Sequence, residues 1–179
     1  CVCAWMFIKQ KIENLTFVKS SIDNNEYLVQ NTEDKQEAAD TIATINRRIQ
    51  KLISYMNKHY PEDSRTKLLT KNYNPENVCE SVRNAKNTSY SVNKGEKVVL
   101  CIRSKETQKI EELNTLMFVT IHEMGHLASK TIGHNDEFWT NFKFLLKISI
   151  KIGIYKRVNY SEKPKKYCGI KITDSPIED

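Results

Sequence analysis

None of the five cysteines, Cys1, Cys3, Cys79, Cys101 and Cys168, forms a CxxC pair, and their number is odd and their spacing irregular. Neither a disulfide framework nor a cysteine-rich zinc knuckle is expected from them, and a reducing, intracellular compartment fits best. Five glycines and four prolines are too few to make a low-complexity tract, and no fixed-period repeat occurs, so repeat arrays and wholesale disorder are set aside. Long apolar runs are missing as well: the opening CVCAWMFI is eight residues long, where a bilayer span needs about 20. It reads either as a first core strand or as the trailing edge of a removed membrane anchor, flanked by Lys9 and Lys11. Histidine is scarce too, with four in the chain, and three of those fall between His122 and His134.

What is present suffices for one domain. A chain of 179 residues with 39% hydrophobic and 28% charged residues is long enough to bury a real core. The formal charge of +6 is uneven. Between Lys143 and Lys171 nine Lys or Arg residues stand against Glu162 alone, a local balance of +8 that leaves the remainder slightly acidic. Such locality is compatible with an anionic partner, nucleic acid or a membrane surface, and equally with a solvated face.

The runs LTFVKS (15–20) and EYLVQN (26–31) flank SIDNN and predict strand, turn, strand. Ala38, Ile42, Ile45, Ile49, Leu52, Ile53 and Met56 recur every three or four residues, so a long amphipathic helix is expected, capped by Asn31 or Thr32 and closed before Pro61. Residues 61–86 read as loop with short helical turns near 65–71 and 75–81. Alternation through NTSYSVNKGEKVVLCIR (87–103) predicts a hairpin turning at Lys94 and Gly95. A helix is expected from about Asn114 to Lys130, with Gly133 as a left-handed cap, and another over about 136–152, capped by Asn135 and stopped by Gly153. Lys143, Lys147 and Lys151 form an i, i+4 row outside that last helix.

On the first of these helices His122 and His126 lie about 40° apart around the axis, so both imidazoles can reach one metal ion. Glu123 lies about 60° from His126 on the same side, placed to take a proton from water without being a ligand. This is the HExxH arrangement of zinc peptidases. A catalytic zinc wants three protein ligands and one open position, and His134, after a glycine turn, can swing back as the third. Asp136, Glu137 and Glu162 are the alternatives. Tyr155, Tyr160, Tyr167 and Arg157 are candidate oxyanion donors, with Tyr167 leading, and Cys168 is either a buried thiol or a fourth ligand. His59 reads as a surface residue.

The stretch HEMGHLASKTIGHNDEFW resembles the metal-binding signature of the WLM family and the wider SprT-like group of zinc metallopeptidases. SYSVNKGEKVVLCIR, NTLMFV, GIY and YCGIKITDSP are similar to phrases in predicted metallopeptidases of large DNA viruses, and the likeness covers roughly residues 26–176. This chain places two more residues between its second and third histidines than WLM proteins usually do. The resemblance implies His122, His126 and His134 as ligands of Zn2+, Glu123 as catalytic acid and base, and host cytoplasm or virion as the setting. It also implies a substrate among proteins bound to DNA, which the basic C-terminal region would suit. The expected architecture is α+β: an N-terminal segment over 1–25, then a single zincin-like metallopeptidase domain over 26–179, with a small sheet or β-hairpin packed on an active-site helix and further helices. The expected activity is hydrolysis of peptide bonds by zinc-bound water with Glu123 as general base. The rival is a metal-stabilised module that binds nucleic acid or a membrane surface without catalysis.

Overall fold

The computed structural model describes residues 14–177. The opening apolar segment, read above as strand or anchor remnant, lies outside the described residues. Strand β1 (Leu15–Lys19) turns through Asn24, held at positive φ, into β2 (Glu26–Gln30). The two pair antiparallel along their whole length, across the boundary expected after residue 25.

Helix α1 (Lys35–His59) runs through the centre of the molecule, as its apolar period requires. Ala38, Ile42, Ile45, Ile49, Leu52 and Met56 are fully buried against β1, β2, β3 (Val78–Glu80), α2 (Ser64–Asn72) and α3 (Leu113–Leu127). Its cap is Asp34, not Asn31 or Thr32, and no side chain closes the first turn. The Thr32 hydroxyl donates to Asp34 Oδ1 at 2.7 Å, and Asp34 in turn accepts from Arg103, so both are committed elsewhere.

The segment expected to be loop with short helical turns carries α2 where the first turn was expected, capped by the Asp63 carboxylate, and, where the second was expected, a 3-10 turn at Pro75–Asn77 followed by strand β3. This last element was not expected. β3 lies parallel to β5 (Lys97–Leu100), which pairs antiparallel with β4 (Tyr90–Val92), so the predicted hairpin is part of a three-stranded sheet of order β3-β5-β4. The β4–β5 turn needs Gly95: its φ is +107°, and a Cβ there would stand 2.0 Å from the Asn72 carbonyl oxygen.

After α3 the chain enters α4 (Asp136–Lys151), whose cap Asn135 accepts from the Phe138 amide as the sequence predicts. Gly133 does not end α3: the helix stops at Leu127, and Gly133, at φ +89°, belongs to the loop beyond. A final hairpin, β6 (Lys165–Tyr167) and β7 (Ile170–Ile172), turns through Cys168 and Gly169, both at positive φ. Cys168 is disulfide-bonded to Cys101, which corrects the expectation that no cysteines pair. Their separation of 67 residues hides the pairing from any spacing rule, and the bond ties the last hairpin to the end of β5. Among the described residues no helix is long and apolar enough to cross a membrane.

Candidate metal centre

Helix α3 crosses α4 closely because residue 125 is glycine. A Cβ there would lie 3.0 Å from Phe138 Cε2 and 3.3 Å from Phe142 Cβ. That close approach sets Phe138 beneath the histidines. Its ring stacks on His126 at 4.2 Å between centroids and meets the edges of His122 and His134 at 4.8 and 4.7 Å. The sequence reading placed Phe138 in the core by period alone; that one ring touches all three imidazoles depends on how α4 crosses α3.

His122 and His126 project from one face of α3, and the loop after it returns His134 to them. His134 Nε2 lies 2.9 Å from His122 Nε2 and 3.2 Å from His126 Nε2. Two ligands about 2.0 to 2.1 Å from a tetrahedral ion stand about 3.3 Å apart, so the spacing suits a zinc ion. The protonation also fits. Burial, with the neighbouring imidazoles next, drives His122 down to about 3, and burial followed by His134 and Lys94 drives His126 down to about 4, so both rings are neutral and offer lone pairs at neutral pH. Three convergent imidazoles can hold a metal. Among the described residues this is the one cluster of three or more His, Cys, Asp or Glu side chains with that property.

The loop carrying His134 is held from two sides. Lys94, at the β4–β5 turn, donates from Nζ to the carbonyls of Ser129 at 2.6 Å and Thr131 at 2.7 Å. Glu137 accepts from the amides of Lys130 and Thr131 at 2.9 and 3.0 Å and from the Thr131 hydroxyl. These bonds hold the Glu137 carboxyl at about 2 and explain why it is no ligand. Asn72 and Asn141 donate to the carbonyls of Leu127 and Ala128, so the end of α3 keeps no orphaned acceptor at these positions. Neither Asp136 nor Glu162 joins the cluster, and His59 is exposed and stacked on Tyr55.

Glu123 is 5% exposed and lies against Ser91 of β4. Burial pushes its carboxyl up to about 7, against hydrogen bonds from the hydroxyl and amide of Ser91. Beside it opens a cavity of about 630 Å³ lined by the three histidines, by β4, and by the β6–β7 hairpin. Of the four oxyanion candidates only Tyr167 lines it; Tyr155 and Tyr160 pack on Phe118 instead. The Tyr167 hydroxyl lies 2.6 Å from Ser89 Oγ, which accepts from the Cys101 amide. Cys168, bonded to Cys101, is neither a free thiol nor a fourth ligand.

No family model matches the chain. The structure is similar to the crystal structure of Wss1 from Saccharomyces cerevisiae, with a TM-score of 0.54 and 20% identity over 70% of this chain and 87% of that one. At that identity the likeness shows the fold, a mixed α+β minimal zincin-like domain. Among viral sequences the chain is 27% identical over 162 residues to uncharacterized protein 136R of Invertebrate iridescent virus 6, covering 86% of this chain and 87% of the other. It is 36% identical over 177 residues to uncharacterized protein R325 of Acanthamoeba polyphaga mimivirus, covering 96% of this chain and 90% of R325. An identity of that size across nearly the whole of both sequences places the protein in the family of viral proteins to which R325 belongs.

Proposed function

We propose that the protein is a zinc-dependent metallopeptidase of the WLM and SprT-like kind, with His122, His126 and His134 as metal ligands and Glu123 as general base. The observation that carries this reading is the convergence of three Nε2 atoms beside a buried carboxylate from the same helix, at the floor of an open cavity. A bound zinc ion supplies Lewis acidity toward water and toward the scissile carbonyl. The chain's own residues do the rest. Glu123 takes the proton of the attacking water and passes it to the leaving amine, its carboxyl held in place by Ser91. Strand β4 is an edge of its sheet, so its outer backbone groups can align an extended polypeptide with the site. A site that only stabilised the fold would have no use for a buried carboxylate lining a cavity beside the metal ligands, and this favours catalysis over the binding module.

The test is metal content of the purified protein, together with cleavage assays on unfolded and DNA-bound proteins. His134→Ala should lower zinc occupancy strongly, with a loss of affinity of at least 100-fold, because two imidazoles alone leave the ion half coordinated. Full retention of zinc in that variant would remove His134 from the site.

A second observation favours DNA-associated proteins as substrates. Trp139, which lines the cavity, begins the row that continues with the exposed Lys143, Lys147 and Lys151 on α4. The lysines are spaced about 6 Å apart along the axis and lead away from the cavity mouth. Lys165 and Lys166 add less than their charge suggests, because each is paired with an acid, Glu112 and Glu106. We propose that the row holds a phosphate backbone. Replacing all three helix lysines by glutamine should reduce the slope of log affinity against log salt by about 2 to 3, at roughly 0.7 to 0.9 per phosphate contact. Absence of DNA binding at low salt would sink the proposal, and binding to anionic liposomes alone would assign the row to a membrane surface.

A further inference from the structure

We infer that the cavity beside Glu123 selects polypeptide segments presenting a large apolar side chain, aromatic or branched aliphatic, next to the scissile bond. The inference rests on the peptidase reading and names its substrate class. Six large apolar side chains are exposed among the described residues, and three of them line this one cavity: Ile132 at 89%, Ile170 at 51% and Trp139 at 44%. They come from three separate segments, the α3–α4 loop, the β6–β7 hairpin and α4. Convergence of exposed apolar groups from unrelated parts of the chain marks a contact surface.

The interior continues the same chemistry. Phe118, Phe142, Tyr167 and Ile172 line it as well, the Phe142 ring 5.1 Å from that of His122 between centroids. Charged groups are few and committed. The Lys94 ammonium is engaged by the carbonyls of Ser129 and Thr131, and besides Glu123 the lining holds one carboxylate, Asp174, which accepts from the Ser175 amide. Apart from the metal site itself, an acidic side chain entering the cavity meets no uncommitted cationic side chain, whereas an apolar one meets aromatic and aliphatic walls. The cavity is also continuous with Tyr90 and Ser91 on the open edge of β4. A strand laid on that edge sends alternate side chains to opposite faces, so one can enter the cavity while its backbone stays beside Glu123. The volume of about 630 Å³ is within the range of built ligand sites and exceeds what one side chain needs, which allows selection by polarity more than by exact shape.

The test is a peptide series identical except for one position, carrying Phe, Leu, Gly, Asp or Lys there, read in two ways. Cleavage efficiency is measured with the zinc-loaded protein, and equilibrium binding is measured by calorimetry with the zinc-loaded Glu123→Gln variant. Phe and Leu peptides are expected to exceed Gly and Asp peptides by about 10- to 100-fold in both readings, the worth of burying one large apolar side chain. Trp139→Ala combined with Ile170→Ser should bring the Phe to Gly ratio toward one, as should Ile132→Ser in part. Phe17→Ser, an exposed apolar residue on β1 away from the cavity, should leave the ratio as it is. Because the replaced side chains are exposed, circular dichroism should report an intact fold in every variant. Equal cleavage of Phe and Gly peptides by the parent overturns the inference and leaves the peptidase reading standing. Phe-dependent binding without any cleavage keeps the apolar occupant and removes the peptidase reading. Neither cleavage nor Phe-dependent binding overturns both.

Discussion

Glu123→Gln is expected to bind zinc as the parent does and to lose hydrolysis by about 100- to 10,000-fold, the usual contribution of general acid and base catalysis. The carboxamide has the shape of the carboxylate, and its oxygen can still accept from the amide and hydroxyl of Ser91, so the local structure has no reason to change. What it cannot do is take a proton. Stability should hold or rise, because burial disfavours the charged carboxylate and the neutral amide relieves that cost. Metal analysis, a thermal melt and single-turnover cleavage together separate these effects. Cleavage at the parental rate would place the base elsewhere. A parent that binds zinc and cleaves no substrate would instead support the metal-stabilised binding module.

The parts of this site that were legible in the sequence are those fixed by one helix. His122, Glu123 and His126 share a face because of their spacing alone, and His134 was identifiable as the third imidazole within reach of that helix. The cap at Asn135 and the stop at Gly153 were equally local and appear as expected. What could not be read depends on packing between distant segments. Strand β3 has three residues and lies within 75–81, where a short helical turn was expected, because so short a run carries no alternation of its own. Glu80 can be buried because Arg103 and the Gln30 amide, 23 and 50 residues away, satisfy both of its oxygens. Lys94 was visible only as a turn residue. Its role at the His134 loop appears once the β4–β5 turn is seated beside the end of α3. The Cys101–Cys168 bond and the Phe138 floor were hidden for the same reason: each joins segments whose proximity no local pattern encodes.

Glu80→Ala is expected to cost about 3 to 5 kcal/mol, the range for removing one partner of a buried ion pair. Arg103 donates from Nε to Glu80 Oε1 at 2.6 Å, from Nη1 to Asp34 Oδ2 at 2.6 Å, and from Nη2 to the Thr32 hydroxyl at 3.1 Å. Gln30 closes the network with its amide on Glu80 Oε2 at 2.7 Å. The Arg103 and Glu80 side chains are 4% and 0% exposed, so truncation leaves a buried guanidinium short of one partner and a buried amide with none. Because the network joins the end of β2, the start of α1 and β3 to the segment after β5, the loss should spread over the whole cooperative unit. For a chain of this length it corresponds to a fall in Tm of roughly 6 to 20 °C. Asp34→Asn should cost less, since that carboxylate is 37% exposed and water can replace part of what Arg103 loses. Hydrogen bonding to Arg103, against some burial, holds the Asp34 carboxyl below its ordinary value. Its contribution is therefore present at neutral pH and lost as the pH falls through the lowered pKa. The decisive comparison is the double variant Glu80→Leu with Arg103→Met. If the cost of Glu80→Ala comes from the stranded charge, replacing both partners by apolar groups should recover most of the loss in a urea titration. If the double variant is as unstable as the single, the pair itself holds these four segments in register, beyond what apolar packing can replace.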